Sequence, residues 1–137
     1  MSLKETLALY GITLALFFLI DMIWLGAAAK GFYRRHLGAF LSPKVHWGAA
    51  LLFYLLYVAG LLVFVVRPAL LRGAPLEALL PGALFGLICY ATYDLSNMAT
   101  LKDWPLIVTV VDLAWGTVLG GAVSLLSATV GRAWLKL

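Results

Sequence analysis

Four apolar segments, each long enough to cross a lipid bilayer, constrain this chain more than any other feature. They cover residues from about 6–29, 46–66, 79–100 and 106–130. A helix needs about 20 mostly apolar residues to span the roughly 30 Å of hydrocarbon in a bilayer. Backbone polar groups must be satisfied within the segment in lipid, which favours helices. The sequence therefore predicts an all-α fold, a four-helix transmembrane bundle.

The composition supports an integral membrane protein and argues against a water-soluble one. The 137 residues are 64% hydrophobic and 12% charged, whereas soluble domains are about half apolar and a quarter charged. Too little polar surface exists to cover a soluble globule, and the length allows one domain, residues 1–137. The single Cys89 lies in an apolar run, so neither a disulfide framework nor a thiolate metal site is predicted.

The connections between the segments predict an up-down topology. Only residues 101–105 join the third segment to the fourth, so these two helices are predicted to be antiparallel neighbours. Arg67 and Pro68 are predicted to end the second helix, because proline disfavours a helical conformation in the residue before it. Four consecutive helices then place both termini on the same side of the membrane. Lys and Arg divide evenly between the two sides, so the positive-inside rule does not select the cytoplasmic one.

The connection at residues 30–45 is the only strongly basic loop, with Lys30, Arg34, Arg35 and Lys44. Apolar and aromatic residues alternate with these charges at roughly helical spacing. The pattern predicts either a short amphipathic piece lying in the membrane interface or an ordinary basic loop that fixes orientation. Basic loops of membrane proteins face anionic headgroups. Membrane lipid is therefore an expected partner, and nucleic acid is not.

Three aspartates, Asp21, Asp94 and Asp112, interrupt the apolar segments. At 1.5 Å per residue, all three lie roughly 9–12 Å inside the same membrane boundary. An ionised carboxyl at the centre of a membrane helix costs about 2.5–3.5 kcal/mol on insertion scales, and such residues usually serve a function. No Lys, Arg or His lies in the segments at that depth. We therefore expect these acids to be protonated, to share protons, to face water or to meet an external cation.

Aromatic and amide side chains lie at the same depth or on the same helix faces as the acids. The pattern Asp-x-x-Trp occurs twice, which is compatible with an inverted repeat. The predicted ligand-binding or proton-handling residues are Asp21, Trp24, Tyr54, Tyr57, Tyr90, Tyr93, Asp94, Asn97, Asp112 and Trp115. Neither a cofactor nor a metal is predicted, although the acids with Asn97 would offer the oxygen ligands that magnesium prefers. In the structural alternative, these groups only hydrogen-bond the helices together.

Several motifs occur in a fixed order along nearly the whole chain. They are DMIWLG at 21–26, FY at 32–33, FYLLY at 53–57, GALFG at 82–86, YATYDLSN at 90–97, ATLK at 99–102, WPL at 104–106 and DLAWG at 112–116. In these motifs the chain resembles the bacterial membrane-protein family catalogued as domain of unknown function twenty-one seventy-seven. Ser96 stands where the resemblance leads one to expect threonine. The resemblance implies a four-helix protein of the bacterial inner (cytoplasmic) membrane, and it carries no established activity or catalytic residues.

Three functions are compatible with this pattern. The first is binding or transport of a small or lipid-like molecule, linked to protonation of the acids. Transport through four helices would require a second copy, so a homodimer is expected in that case. The second is a membrane-embedded enzyme that uses the carboxyls as acid and base on a lipid or isoprenoid-like substrate. The third is a structural subunit of a membrane complex, held by its small-residue helix faces.

Overall fold

The computed structural model describes residues 1–136, apart from the side chain of Ala28. Helices make up 84% of the protein, and the described residues contain no strand. The α-helices are α1 (Leu3–Ile23), α2 (Lys30–Leu37), α3 (Trp47–Leu61), α4 (Arg67–Leu71), α5 (Leu79–Thr100) and α6 (Leu106–Leu135). Two π-helical segments, Trp24–Ala28 and Leu62–Val66, and a 3-10 turn at Pro75–Ala78 lie between them.

Four helical spans are long and apolar enough to cross a membrane: Leu3–Ala27, Trp47–Leu71, Pro75–Thr100 and Leu106–Leu135. The predicted all-α class with four membrane-length helices is therefore confirmed. The up-down topology and the placement of both termini on one side stay predictions. The last residue of the predicted domain 1–137 lies outside the described residues.

The second span continues through Pro68 to Leu71, so the prediction that it ends at Val66 is wrong. Proline has no N–H to donate, and its ring crowds the carbonyl four residues earlier. The π-helical segment Leu62–Val66 ends two residues before Pro68, and it widens the backbone at Phe64, four residues before the proline. Local π adjustments of this kind let membrane helices retain proline. The fourth span also extends beyond its predicted end, to Leu135.

Residues 30–45, predicted as a basic loop, begin with the short helix α2. Leu37 is buried and Tyr33 is half-buried, whereas Arg34 and Arg35 are exposed. The helix is therefore amphipathic, and its apolar side packs onto the bundle. Of the two predicted alternatives, a short amphipathic piece and an ordinary basic loop, the first describes residues 30–37.

Helix α6 lies at the centre of the bundle and packs most extensively on α5. A Cβ atom added to Gly86 would overlap the carbonyl oxygen of Gly116, and one added to Gly120 would overlap that of Gly82. Membrane helices use such small residues to bring their backbones into direct contact. Because Gly82 meets Gly120 and Gly86 meets Gly116, the contacts run in opposite directions along the two helices. They form one tightly joined antiparallel pair.

Helix α3 packs on α1 but hardly touches α5. The exception is Phe85 of α5, whose ring lies 5.4 Å from that of Tyr57 between centroids. Phe85 also reaches Gly60, where an added Cβ would lie 2.9 Å from its ring. From Tyr57 toward the start of α3, the described residues show no further ring contact between the two helices. Residues of both helices line the space described next.

Candidate functional site

A cavity of about 720 Å³ lies between α1, α2, α3, α5 and α6. Its walls are apolar, with seven aromatic side chains and the carboxyls of Asp21 and Asp112. The aromatic lining consists of Trp24, Tyr33, Phe53, Tyr54, Tyr90, Tyr93 and Trp115. A volume of this size suits a drug-sized or lipid-like molecule, since ligand sites are typically about 300–1,000 Å³.

The cavity is partly open, and exposed residues of α3 and α5 lie in its lining. Phe53 of α3 and Tyr93 of α5 line it and remain 46% and 59% exposed. Leu41 and Val45, which follow α2, line it as well and are half exposed. When the four spans cross a bilayer, a gap between two of them faces lipid chains. The opening therefore connects the buried carboxyls to the apolar outer surface.

Asp21 is buried on α1 and accepts a hydrogen bond of 3.2 Å from the hydroxyl of Tyr54 on α3. The ring of Tyr54 packs edge-on against Phe17, with 5.3 Å between centroids. Phe17 is fully buried one helical turn before Asp21. The α1–α3 contact thus positions both the acid and the tyrosine that donates to it.

Asp112 is buried on α6 and accepts a hydrogen bond from the hydroxyl of Tyr33 on α2. The same hydroxyl accepts a hydrogen bond of 3.3 Å from Nε1 of Trp24. Burial, and after it the hydrogen bond to Asp112, raises the pKa of Tyr33 above its ordinary value. Tyr33 therefore stays a neutral hydroxyl donor at physiological pH.

Tyr33 is a site residue that was not among the predicted ones. It lies in the predicted basic loop, where an aromatic residue need not indicate a binding site. The signal that marks it is its spacing, since Tyr33 and Leu37 lie one helical turn apart on the side of α2 opposite Arg35.

The two Asp-x-x-Trp motifs form a single cluster. The indole rings of Trp24 and Trp115 stack with 4.5 Å between centroids and 10° between planes. Each indole nitrogen is directed toward the acid of the other motif. Trp24 reaches Asp112 through Tyr33, and Asp21 lies near Nε1 of Trp115. That nitrogen is buried and has no hydrogen-bond partner among residues 1–136.

Asp94 on α5 is fully buried and does not line the cavity. Within the described part of the chain, neither of its carboxyl oxygens has a hydrogen-bond partner. The carboxyl of Asp112 on α6 lies beside it, close enough for the two charges to interact. Asp94 thus lies beside Asp112 but outside the cavity lining.

The remaining predicted residues divide between the cavity and the core. Tyr90 lies over Gly116 and lines the cavity. Tyr57 is buried in the core against Phe17, 4.9 Å between centroids, and does not line it. The half-buried Asn97 also lies outside the lining. The structure therefore brings together seven of the ten predicted residues: Asp21, Trp24, Tyr54, Tyr90, Tyr93, Asp112 and Trp115.

The acids do not converge on a point where a metal could bind. Among the described residues, no group of three or more His, Cys, Asp or Glu side chains could hold a metal ion. The magnesium arrangement considered for Asp21, Asp94, Asp112 and Asn97 is thus not present in that part of the chain. The cavity lining likewise contains no described Lys, Arg or His. Two carboxyls therefore face an apolar, aromatic space with no basic partner among the described residues that line it.

Tyr33→Phe is expected to loosen α2 from the bundle. The change removes the hydroxyl that joins Trp24 to Asp112, and a hydrogen bond to a charged or buried group contributes about 1–2 kcal/mol. We expect amide hydrogen exchange of α2 to quicken and the near-UV circular dichroism of the stacked indoles to weaken. Tyr93→Phe is the control, because Tyr93 is exposed at the cavity mouth. Equal behaviour of the two variants would contradict the role given to Tyr33.

Of the comparisons with known proteins, one found a match, and it is to a membrane-protein family. The family model described as "Predicted membrane protein (DUF2177)" matches residues 6–129, which is most of the chain. No curated protein and no solved structure matches the chain.

Proposed function

The chain belongs to the family of predicted membrane proteins described as DUF2177, and we propose that it binds a small, lipid-like molecule. The molecule enters from the bilayer between α3 and α5, and binding is linked to protonation of the acids. We further propose that it is located in the bacterial inner membrane, because its motifs resemble those of a bacterial membrane-protein family. The observation that carries this proposal is the lateral opening of an apolar cavity whose inner wall holds two carboxyls.

The distribution of apolar and acidic residues in the cavity favours an amphiphilic ligand over a water-soluble one. Phe53 and Tyr93 at its mouth are exposed to the surroundings of the bundle, which are lipid chains in a membrane. Asp21 and Asp112 are the acids deep in the lining. An apolar chain at the mouth and a polar end at the carboxyls would satisfy both regions.

The position of Asp94 favours the proton linkage. Its carboxyl is fully buried beside Asp112 and has no hydrogen-bond partner in the described residues. Two adjacent carboxyls in an apolar environment cannot both carry charge at low cost, so they tend to share a proton. A ligand that contacts Asp112 from the cavity would change how that proton is held.

Photolabelling tests the proposed function in lipid nanodiscs. A phospholipid with a diazirine in its acyl chain is expected to label the cavity-lining peptides that contain Phe53 and Tyr90. Ala50→Trp should reduce this labelling several-fold, because Ala50 lines the cavity on α3. Leu51→Trp is the matched control, since Leu51 is exposed and lies outside the lining.

The same labelling, repeated across pH, tests the proton linkage. The yield is expected to vary with pH in the wild type and in Asp103→Asn, a charge-matched control in the exposed turn before α6. It should lose that variation in Asp112→Asn. A photolabelling yield that is the same in Ala50→Trp as in the wild type would refute lateral binding. A pH profile unchanged in Asp112→Asn would refute the linkage alone.

A further inference from the structure

We infer that the polar end of the ligand is a cation, an ammonium group carried on an apolar chain. This inference rests on the proposed function and adds the chemical class of the ligand. It depends on the charge of the cavity lining, on the acid oxygens left available there and on the aromatic rings around them.

The charge of the lining is the first argument. Asp21 and Asp112 are buried in it, and none of its described residues is basic. Basic residues next to lining residues in sequence, such as Arg34 beside Tyr33 and Lys44 beside Val45, are exposed and outside the lining. A bound cation would supply the counter-charge that the helices themselves lack, which offsets part of the cost of two buried carboxyls.

The hydrogen bonds of the two acids leave room for such a group. Tyr54 donates to Oδ2 of Asp21, and Tyr33 donates to Oδ1 of Asp112. The other oxygen of each carboxyl has no hydrogen bond from a described residue and is not sealed away with the buried unpartnered atoms. Both acids line the cavity, so these oxygens are accessible to a positively charged group bound there, and the proton of the Asp94–Asp112 pair is then held by Asp94.

The aromatic rings around the acids suit a cation as well. Ring faces attract ammonium groups within about 6 Å, and tryptophan does so best. Trp24 and Trp115 stack on each other, and Tyr54 and Tyr90 line the same wall. A neutral alcohol would use the free carboxyl oxygens but would gain nothing from the rings. An anionic headgroup would meet two like charges.

A matched set of amphiphiles tests the inference. Octyltrimethylammonium, octanol and octyl sulfate are titrated calorimetrically into nanodiscs that contain the protein, and the heats from empty nanodiscs are subtracted. We expect the ammonium compound to bind about tenfold or more tightly than the alcohol. The sulfate should bind weakest.

Charge-matched variants separate the site from the general negative charge of the protein. Asp21→Asn and Asp112→Asn should each reduce the preference for ammonium over alcohol by roughly three- to tenfold. Asp103→Asn should not, because Asp103 lies in the exposed turn before α6. Octanol that still binds the asparagine variants shows that they are folded, so a lost preference for ammonium reports the lost charge.

The outcomes distinguish this inference from the function on which it rests. If octanol or octyl sulfate binds as tightly as the ammonium compound, the ligand is not a cation, and lateral lipid binding still stands on the photolabelling. If none of the three binds and the photolabel does not react in the cavity either, both proposals are overturned.

Discussion

Gly86→Val is expected to prevent α5 and α6 from packing and to leave little folded protein. A Cβ at this position would overlap the carbonyl oxygen of Gly116, which is backbone and cannot rotate away. Ordinary overpacking costs about 1–3 kcal/mol, and a clash with backbone exceeds that range because both helices must separate. The free energy of unfolding, measured in mixed micelles of increasing denaturing-detergent content, should fall by about 3 kcal/mol or more.

Gly11→Val is the matched control for this experiment. Gly11 also lies within a membrane-length helix, but nothing would come within 4 Å of an added Cβ there. The same change of residue should therefore have little effect or a slightly favourable one, since glycine is a poor helix former. If the two variants lose stability equally, close α5–α6 contact is not what holds the bundle together.

Asp94→Leu is expected to stabilise the protein while it abolishes the proton linkage. Leucine has the same branched skeleton as aspartate, and no hydrogen bond from residues 1–136 to the carboxyl would be lost. Replacing a buried ion pair with apolar residues of similar volume is often neutral or stabilising by about 1–4 kcal/mol, and here the carboxyl removed lies beside a second acid and not beside an opposite charge. We expect a gain at the lower end of that range, measured by the same detergent titration, and labelling that no longer depends on pH.

The comparison with Asp112→Leu decides between a structural and a functional Asp94. Asp112 accepts a hydrogen bond from Tyr33, so its replacement should destabilise the protein by roughly 1–3 kcal/mol by leaving that hydroxyl unpaired. If Asp94→Leu raises the free energy of unfolding and Asp112→Leu lowers it, then Asp94 destabilises the wild-type protein and its role is functional. A loss of stability in Asp94→Leu as large as in Asp112→Leu would support the structural alternative, in which the acids hold the helices together.

The helices were predictable because lipid imposes a simple rule on sequence. An apolar run of sufficient length must be helical, and this holds for all four spans whatever their partners. The ends were less predictable, because they depend on the local backbone. At Pro68 the chain uses a π-helical segment to continue where propensity alone predicts a stop.

Counting residues predicts one level in the membrane for Asp21, Asp94 and Asp112, but it could not predict the direction of each side chain. The structure puts two of the acids in the cavity lining and buries the third outside it. That difference depends on how each helix is rotated about its axis. The rotation follows from interhelical contacts such as Gly86 on Gly116, which are not visible in any single segment.

Because of the π-helical segment Trp24–Ala28, the geometry of the site depends on the number of residues between α1 and α2. Each residue in an α-helix turns the chain by about 100°, and a π turn holds one residue more than an α turn. This extra residue sets the direction in which α2 leaves α1 and so brings Tyr33 to Asp112. A one-residue deletion between Trp24 and Lys30 would redirect α2 although every side chain of the cluster was kept. Relatives that share the acids but differ in length here would therefore enclose a different space.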